Sequence, residues 1–251
     1  MYDTTTRLAA LRLLDGGRSL NSVSKETGIS RAAMRAWQSR IDPARPVGCV
    51  RCAGGPAAPE PARDYAYLLG LYLGDGCLSG YARGVYGLRI ACGDAWPGLM
   101  DECEAAMRAI RPGSKVFRAP RQGCHMVTSL WKHWPCLFPQ HGPGHKHERS
   151  IVLESWQRDI VRSEPWALVR GLIHSDGCRV TNRTTRTVAG ERRRYEYPRY
   201  LFTNESADIM RILTTTLDEL GVEWKFARRN NLSVARRDSV ALMDRYVGPK
   251  Y

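Results

Sequence analysis

Leu68-Leu-Gly-Leu-Tyr-Leu-Gly-Asp-Gly76 and Val169-Arg-Gly-Leu-Ile-His-Ser-Asp-Gly177 are two versions of one stretch. Aligned without a gap, each gives Gly-Leu, two larger residues, a small residue and then Asp-Gly. The small pairs, Gly70 with Gly74 and Gly171 with Ser175, are four residues apart, which puts both members on one face of a helix. Small residues on one face let two helix backbones approach closely, because no side chain holds them apart. Each helix is predicted to stop at its closing glycine, Gly76 or Gly177. Packed side by side in parallel, the two helices would deliver Asp75 and Asp176 together at the end of the seam.

Two carboxylates so placed repel each other, and each also sits at the negative end of a helix. A divalent cation resolves both problems, and a carboxylate pair holding Mg²⁺ is a standard way to cut a phosphodiester. A single Asp-Gly reads equally well as a turn. Two matched copies favour the paired site.

The charge balance names the partner. Among 251 residues, 38 are Lys or Arg against 25 Asp or Glu, a net charge of +13. Such an excess favours a polyanion, because each cation placed on a phosphate releases a counterion. Arg far outnumbers Lys, and Arg makes the forked contacts to phosphate and guanine. The same bias points to a GC-rich bacterial genome. No run of 18 apolar residues predicts a membrane span. The opening Met1-Tyr-Asp-Thr-Thr-Thr6 lacks an export signal, so the expected compartment is the reducing cytoplasm, at the nucleoid when bound to DNA.

Three short helices are expected over residues 4–41, within a domain over 1–42. Leu8, Leu11 and Leu14 form a stripe, Ser19 or Asn21 starts the second helix, Gly28 turns, and Ser30 caps the third, with Ala33, Met34 and Trp37 inward. This resembles a helix-turn-helix, in which the third helix would present Ser30, Arg31, Arg35 and Gln38 to the major groove. Residues 43–62 are a Pro/Ala/Gly linker carrying Cys49 and Cys52. That Cys-x-x-Cys is half a Zn²⁺ site, with Cys136, His141, His145 and His147 as candidates for the other half. The alternatives are a redox pair and two unligated thiols.

Two halves follow, 63–150 and 151–251. In the first, a strand is expected over 85–91, a helix over 97–110 and a hairpin over 115–129 turning at Gln122-Gly123. In the second, the Arg-rich stretch 179–199 bends at Gly190, with Arg183, Arg186, Arg192, Arg193, Arg194 and Arg199 interleaved by Tyr195, Tyr197 and Tyr200. A helix capped by Ser206 runs to Leu220. A hairpin turning at Asn230-Asn231 carries Arg228, Arg229, Arg236 and Arg237, and a last helix spans 240–246. Both halves close on Gly-Pro and then a Lys, Lys146 or Lys250, at nearly equal distances after their Asp.

The paired motifs resemble those of the LAGLIDADG (dodecapeptide, DOD-type) homing endonucleases, of the single-chain type with two pseudo-symmetric halves. The resemblance covers residues 63 to 251. It implies an α+β fold in which each half is an αββαββα unit whose strands form a saddle over double-stranded DNA, behind the small three-helix domain. It implies that Asp75 and Asp176, with the backbone of Gly74 and Ser175, hold two or three Mg²⁺ ions. By the same resemblance Lys146 and Lys250 lie beside the metals and steady charge on the phosphate, and the product is a double-strand break. Leu73 and His174 depart from the family pattern, which has an acid there. With both halves in one chain, a monomer completes the site. The rival is a transcriptional regulator that binds DNA without cutting it. The additional reading domain speaks for the regulator, and the two acids speak for the nuclease. A His-metal nuclease built on His141, His145 and His147 would need a His-Asn-His pattern that the sequence lacks.

Overall fold

A computed structural model of the chain describes residues 4–38, 58–188 and 190–251. The chain divides into two compact units between Ala57 and Ala58. The first unit contains α1 (Thr4–Asp15), α2 (Leu20–Thr27) and α3 (Arg31–Gln38). Helix starts leave backbone donors open, and serines satisfy them here. Ser19 Oγ accepts from the Ser22 amide at 3.1 Å and Ser30 Oγ from the Ala33 amide at 3.2 Å. Gly28, at φ +70°, ends α2 in the left-handed conformation that glycine adopts without strain. Ala10, Val23, Ile29 and Met34 fill the small core, with Leu14 and Trp37 packed on it. Arg31 and Gln38 are exposed, as is Arg35. Cys49, Cys52 and most of the expected linker lie outside the described residues.

The second unit is α+β and internally duplicated. Its first half runs α4 (Ala62–Leu73), β1 (Gly76–Gly80), β2 (Tyr86–Gly93), α5 (Pro97–Ile110), β3 (Val116–Arg121), β4 (Cys124–Trp131) and the short α6 (Trp134–Leu137). After α7 (Ser155–Ser163) comes the second half. It runs α8 (Pro165–Asp176), β5 (Gly177–Val188), β6 (Glu191–Thr203), α9 (Ala207–Glu219), β7 (Lys225–Arg228), β8 (Asn231–Val234) and α10 (Arg237–Tyr246). Each half is therefore αββαββα. Both sheets are antiparallel and share one strand order, β1-β2-β4-β3 and β5-β6-β8-β7. Among the described residues, no helix is long and apolar enough to cross a membrane.

Helix α4 is the spine of this unit. Every residue from Tyr65 to Leu73 is buried, as expected of a helix that is apolar all round and covered on all sides. Residues of both halves join in one core with it, among them Ile90, Val127, Leu172, Phe202 and Leu213. One buried polar knot crosses this core. The Tyr65 hydroxyl donates to Leu137 O at 2.5 Å, and Gln157 Nε2 donates to that hydroxyl at 2.8 Å, with Gln140 at its other side. Buried polar groups that lose a partner keep their desolvation penalty. Gln157→Ala is accordingly expected to destabilise the protein by about 2 kcal/mol, read as a lower thermal midpoint.

Several boundaries differ from the sequence expectation. A strand, β1, begins at Gly76, immediately after Asp75, and β2 starts at Tyr86 and runs on to Gly93. The last hairpin turns at Arg229-Asn230, one residue earlier than expected, because Asn231 already pairs with Thr203. The last helix starts at Arg237 rather than Val240. Helix α4 stops at Leu73, short of Gly76, whereas α8 continues to Asp176. The difference has a cause in Lys146, whose Nζ donates to the carbonyls of Tyr72, Leu73 and Gly74 at 2.5, 3.0 and 2.7 Å. The last α4 carbonyls are thus turned onto an ammonium group.

Candidate functional site

Helices α4 and α8 touch backbone to backbone. A methyl group on Gly70 would lie 2.5 Å from Leu168 O and 2.7 Å from Leu172 N. One on Gly171 would meet Tyr67 O, and would lie 2.9 Å from Gly70 Cα. Further along the seam, Gly74 abuts the Ser175 side chain, and a methyl there would lie 3.0 Å from Asp176 Oδ2. Asp75 is the next residue. The small residues of the two motifs therefore do what their spacing implies: they close the seam, and Asp75 and Asp176 end up close enough to perturb each other.

Their electrostatics follow from that placement. The Asp75 carboxyl is raised from 3.8 to about 6, first by removal from water and next by Asp176, while Lys250 and Lys146 pull it down. Its side chain still reaches solvent at the end of the seam. Asp176 is raised by burial, against a hydrogen bond from Asn204 Nδ2 at 2.6 Å and the pull of both lysines. Lys146 is lowered from 10.5 to about 8 by burial, against the attraction of Asp176 and Asp75. Lys250 is lowered by burial too. Its Nζ donates to Ser175 O at 2.7 Å, the counterpart of the Lys146 contacts on α4. Each lysine thus neutralises a helix C-terminus, where cations are favoured, and stands beside the carboxylate pair. The carbonyls of Gly74 and Ser175, expected as metal donors, each already accept from a lysine.

Asn204 was not among the residues singled out from sequence. It lies between β6 and α9, and its Oδ1 accepts from the Ser206 amide at 2.8 Å, beside the start of α9. Its counterpart in the first half is Asp94: the two amides donate to Asn230 O and Gly123 O in matching hairpins. Asp94 instead pairs with His125 at 2.7 Å. Among the described residues, Asp176 has a neutral donor that Asp75 lacks. Beside the pair opens a cleft of about 580 Å³ whose walls include Cys77, His141, Lys146, Asp176, Asn204 and Glu205.

The two departures from the acidic pattern are structural. Leu73 is fully buried. His174, 1% exposed, meets the Tyr67 hydroxyl at 3.1 Å through Nδ1 and is lowered to about 4, by burial first and then by Arg170. The candidates for completing a zinc site do not converge. His145 and His147 stack on each other at 5.4 Å, and His141 lies edge-on to Tyr86. Among the described residues, no three His, Cys, Asp or Glu side chains form a metal-holding group. What the seam offers is oxygen only, two carboxylates with nearby carbonyls. That donor set fits a hard cation such as Mg²⁺, which keeps several waters and takes few protein ligands.

Strand register sorts the expected DNA-binding arginines. Directly paired residues share a sheet face, so Arg186, Arg193, Arg199 and Arg228 lie on the face that also carries Cys178. Arg183, Arg192 and Arg194 lie on the opposite face, where Glu196 pairs with Arg183 at 3.0 Å and with Arg194 at 3.4 Å. Arg229 pairs with Glu205 at 3.1 Å, Arg236 pairs with Glu223, and Arg237 opens α10.

Among solved structures, the chain is similar to the homing endonuclease I-DmoI in complex with DNA and Mn, at 14% identity over 76% of this chain and 98% of that chain, with a TM-score of 0.46. It is also similar to the LAGLIDADG meganuclease I-AabMI bound to uncleaved DNA, at 11% identity over 72% of this chain and 83% of that one, with a TM-score of 0.46. A third is the homing endonuclease I-WcaI bound to its DNA recognition sequence, at 11% identity, 74% and 80% coverage and a TM-score of 0.45. No protein-family model and no curated protein matches the sequence.

Proposed function

We propose that this chain is a site-specific endonuclease of the LAGLIDADG type that cuts both strands of duplex DNA with Mg²⁺ held by Asp75 and Asp176. One observation carries the reading: the backbone crossing at Gly70 and Gly171 brings two mutually destabilising carboxylates to one place, each flanked by a lysine seated on a helix end. A protein that only binds DNA gains nothing from like charges held together beside phosphates. A carboxylate pair that must hold cations does.

When bound, the cations would supply a water of lowered pKa and offset charge on the scissile phosphates. The protein residues do the rest. Asn204 fixes the orientation of Asp176. Lys146 and Lys250 place positive charge where negative charge develops, with no reorganisation needed at the moment of reaction. The net charge of +13 holds the duplex. No side chain needs to form a covalent bond to the DNA. The three-helix unit would add its own groove contacts through Arg31, Arg35 and Gln38.

The test is digestion of a randomised duplex library by the full chain in Mg²⁺, with sequencing of the ends. Double-strand cuts at one enriched site support the reading; selective binding in Ca²⁺ with no cuts in Mg²⁺ or Mn²⁺ leaves the regulator. A pH profile adds a second check. A proton competes with metal at Asp75, whose carboxyl titrates near 6, so metal affinity and cleavage fall as pH drops through that value. Lys146 loses its charge above about 8, which sets a descending limb. Single-turnover cleavage from pH 5 to 9 at fixed Mg²⁺ should therefore be bell-shaped. Lys146→Arg, whose charge does not titrate in this range, should flatten the alkaline limb alone.

A further inference from the structure

The two motif lysines are fastened differently. Lys146 donates to the carbonyls of Tyr72, Leu73 and Gly74. Its loop is laced by Arg149, which donates to Gln140 O, Pro143 O and Gly144 O at 3.2, 3.3 and 2.6 Å. Among the described residues, Lys250 Nζ donates to Ser175 O alone. Its place therefore depends on the backbone that carries it.

That backbone is held from the other half. The carbonyl of Tyr251, the next residue, accepts from the Leu99 amide at 3.3 Å, in the first turn of α5. Its ring lies against Gly98, where an added methyl would collide with it. Its hydroxyl donates to Glu102 Oε1, one turn beyond Gly98 on the same helix. Glu102 is where the pieces meet. The same Oε1 accepts from Arg170 Nη2 of α8 at 2.6 Å, and Oε2 lies 3.9 Å from His174 Nδ1. The Arg170 guanidinium in turn lies 5.8 Å from the ring centre of Tyr67 in α4. One half-buried carboxylate thus links α5, α8 and the segment that carries Lys250.

The matching places on the other side are apolar. In the gapless alignment of the motifs, Arg170 and His174 answer to Leu69 and Leu73, both fully buried. Counted from Asp94 and its counterpart Asn204, Glu102 answers to Ile212, which packs on the apolar core.

We propose that Glu102 is a positioning residue for Lys250: acting through Tyr251 and Arg170, the α5 helix of the first half fixes where the lysine of the second half stands. This rests on the endonuclease reading above. Apolar residues serve for packing at the matching places, whereas hydrogen-bonded charges add a fixed register. A lysine that stabilises developing charge must already stand in place, and a displacement of about 1 Å can cost roughly 10²-fold in rate.

The test follows each strand of the enriched duplex separately, in single-turnover cleavage by the full chain in Mg²⁺. Tyr251→Phe removes one hydroxyl from an exposed residue, and its melting midpoint should stay within about 2 °C of wild type. It should nevertheless slow cleavage on the order of 10-fold, with binding in Ca²⁺ unchanged. Glu102→Ala should slow it at least as much. The double variant Glu102→Ala/Tyr251→Phe should be no slower than Glu102→Ala, because the two act in series. The deciding comparison uses two backgrounds. Tyr251→Phe should add nothing to Lys250→Met but keep its full effect in Lys146→Met, whereas a merely structural hydroxyl would cost the same in both. Equal losses in the two backgrounds, a loss of Ca²⁺ binding that matches the loss of rate, or full rates in both Tyr251→Phe and Glu102→Ala would overturn the proposal while wild-type cleavage stands. A wild type that cuts no duplex would remove the endonuclease reading and this proposal with it.

Discussion

On the proposed reading, Asp176→Asn and Asp75→Asn are each expected to reduce Mg²⁺-dependent cleavage of the enriched duplex by roughly 10³-fold or more, on the scale of losing about 4 kcal/mol of charge stabilisation. Binding of the same duplex in Ca²⁺ should hold or tighten, since a negative charge facing phosphate is gone. The stability change should run the other way from activity. Asp75 is raised by removal from water and by Asp176. Its ionised form therefore weakens the fold, and the stability lost is lost as pH rises from 3.8 through about 6. At neutral pH both Asn variants are accordingly expected to melt above wild type. Parallel melting curves and single-turnover rates check this. A variant that is inactive and also less stable would mean that the carboxylates hold the fold together rather than hold cations.

Gly70→Ala and Gly171→Val should unfold the second unit more readily than any surface change. The added carbon at position 70 would stand 2.5 Å from a backbone oxygen, and neither helix backbone can rotate aside as a side chain would. Overpacking of this kind costs about 3 kcal/mol, or a midpoint lowered by roughly 6–12 °C for a unit this size. Cleavage should fall further than stability accounts for, because spreading the helices moves the carboxylates apart, and small misplacements are costly in catalysis. Gly80→Ala is the control: the added methyl would lie 3.9 Å from the Tyr86 ring, and near-wild-type melting is expected. Calorimetry on the three proteins decides it.

The paired stretches carried most of the architecture because their small residues and acids recur at one spacing, and spacing along a helix dictates a shared face. The Gln122-Gly123 and Gly190 turns and the Ser206 cap were legible for the same local reason. What escaped depends on contacts across the chain. Helix α4 ends early because a lysine more than seventy residues away takes its carbonyls. Asn204 reads locally as part of a cap, and only the fold turns its amide toward Asp176. The arginines between 183 and 199 look alike in sequence, yet strand alternation splits them between two faces.

The most direct test of the central claim is anomalous diffraction from crystals of the full chain grown with Mn²⁺. The account predicts Mn²⁺ peaks within coordinating distance of the Asp75 and Asp176 carboxylates, lost in Asp176→Asn. Peaks confined to other residues, such as His145 and His147, or no peak at the end of the α4–α8 seam, would contradict it.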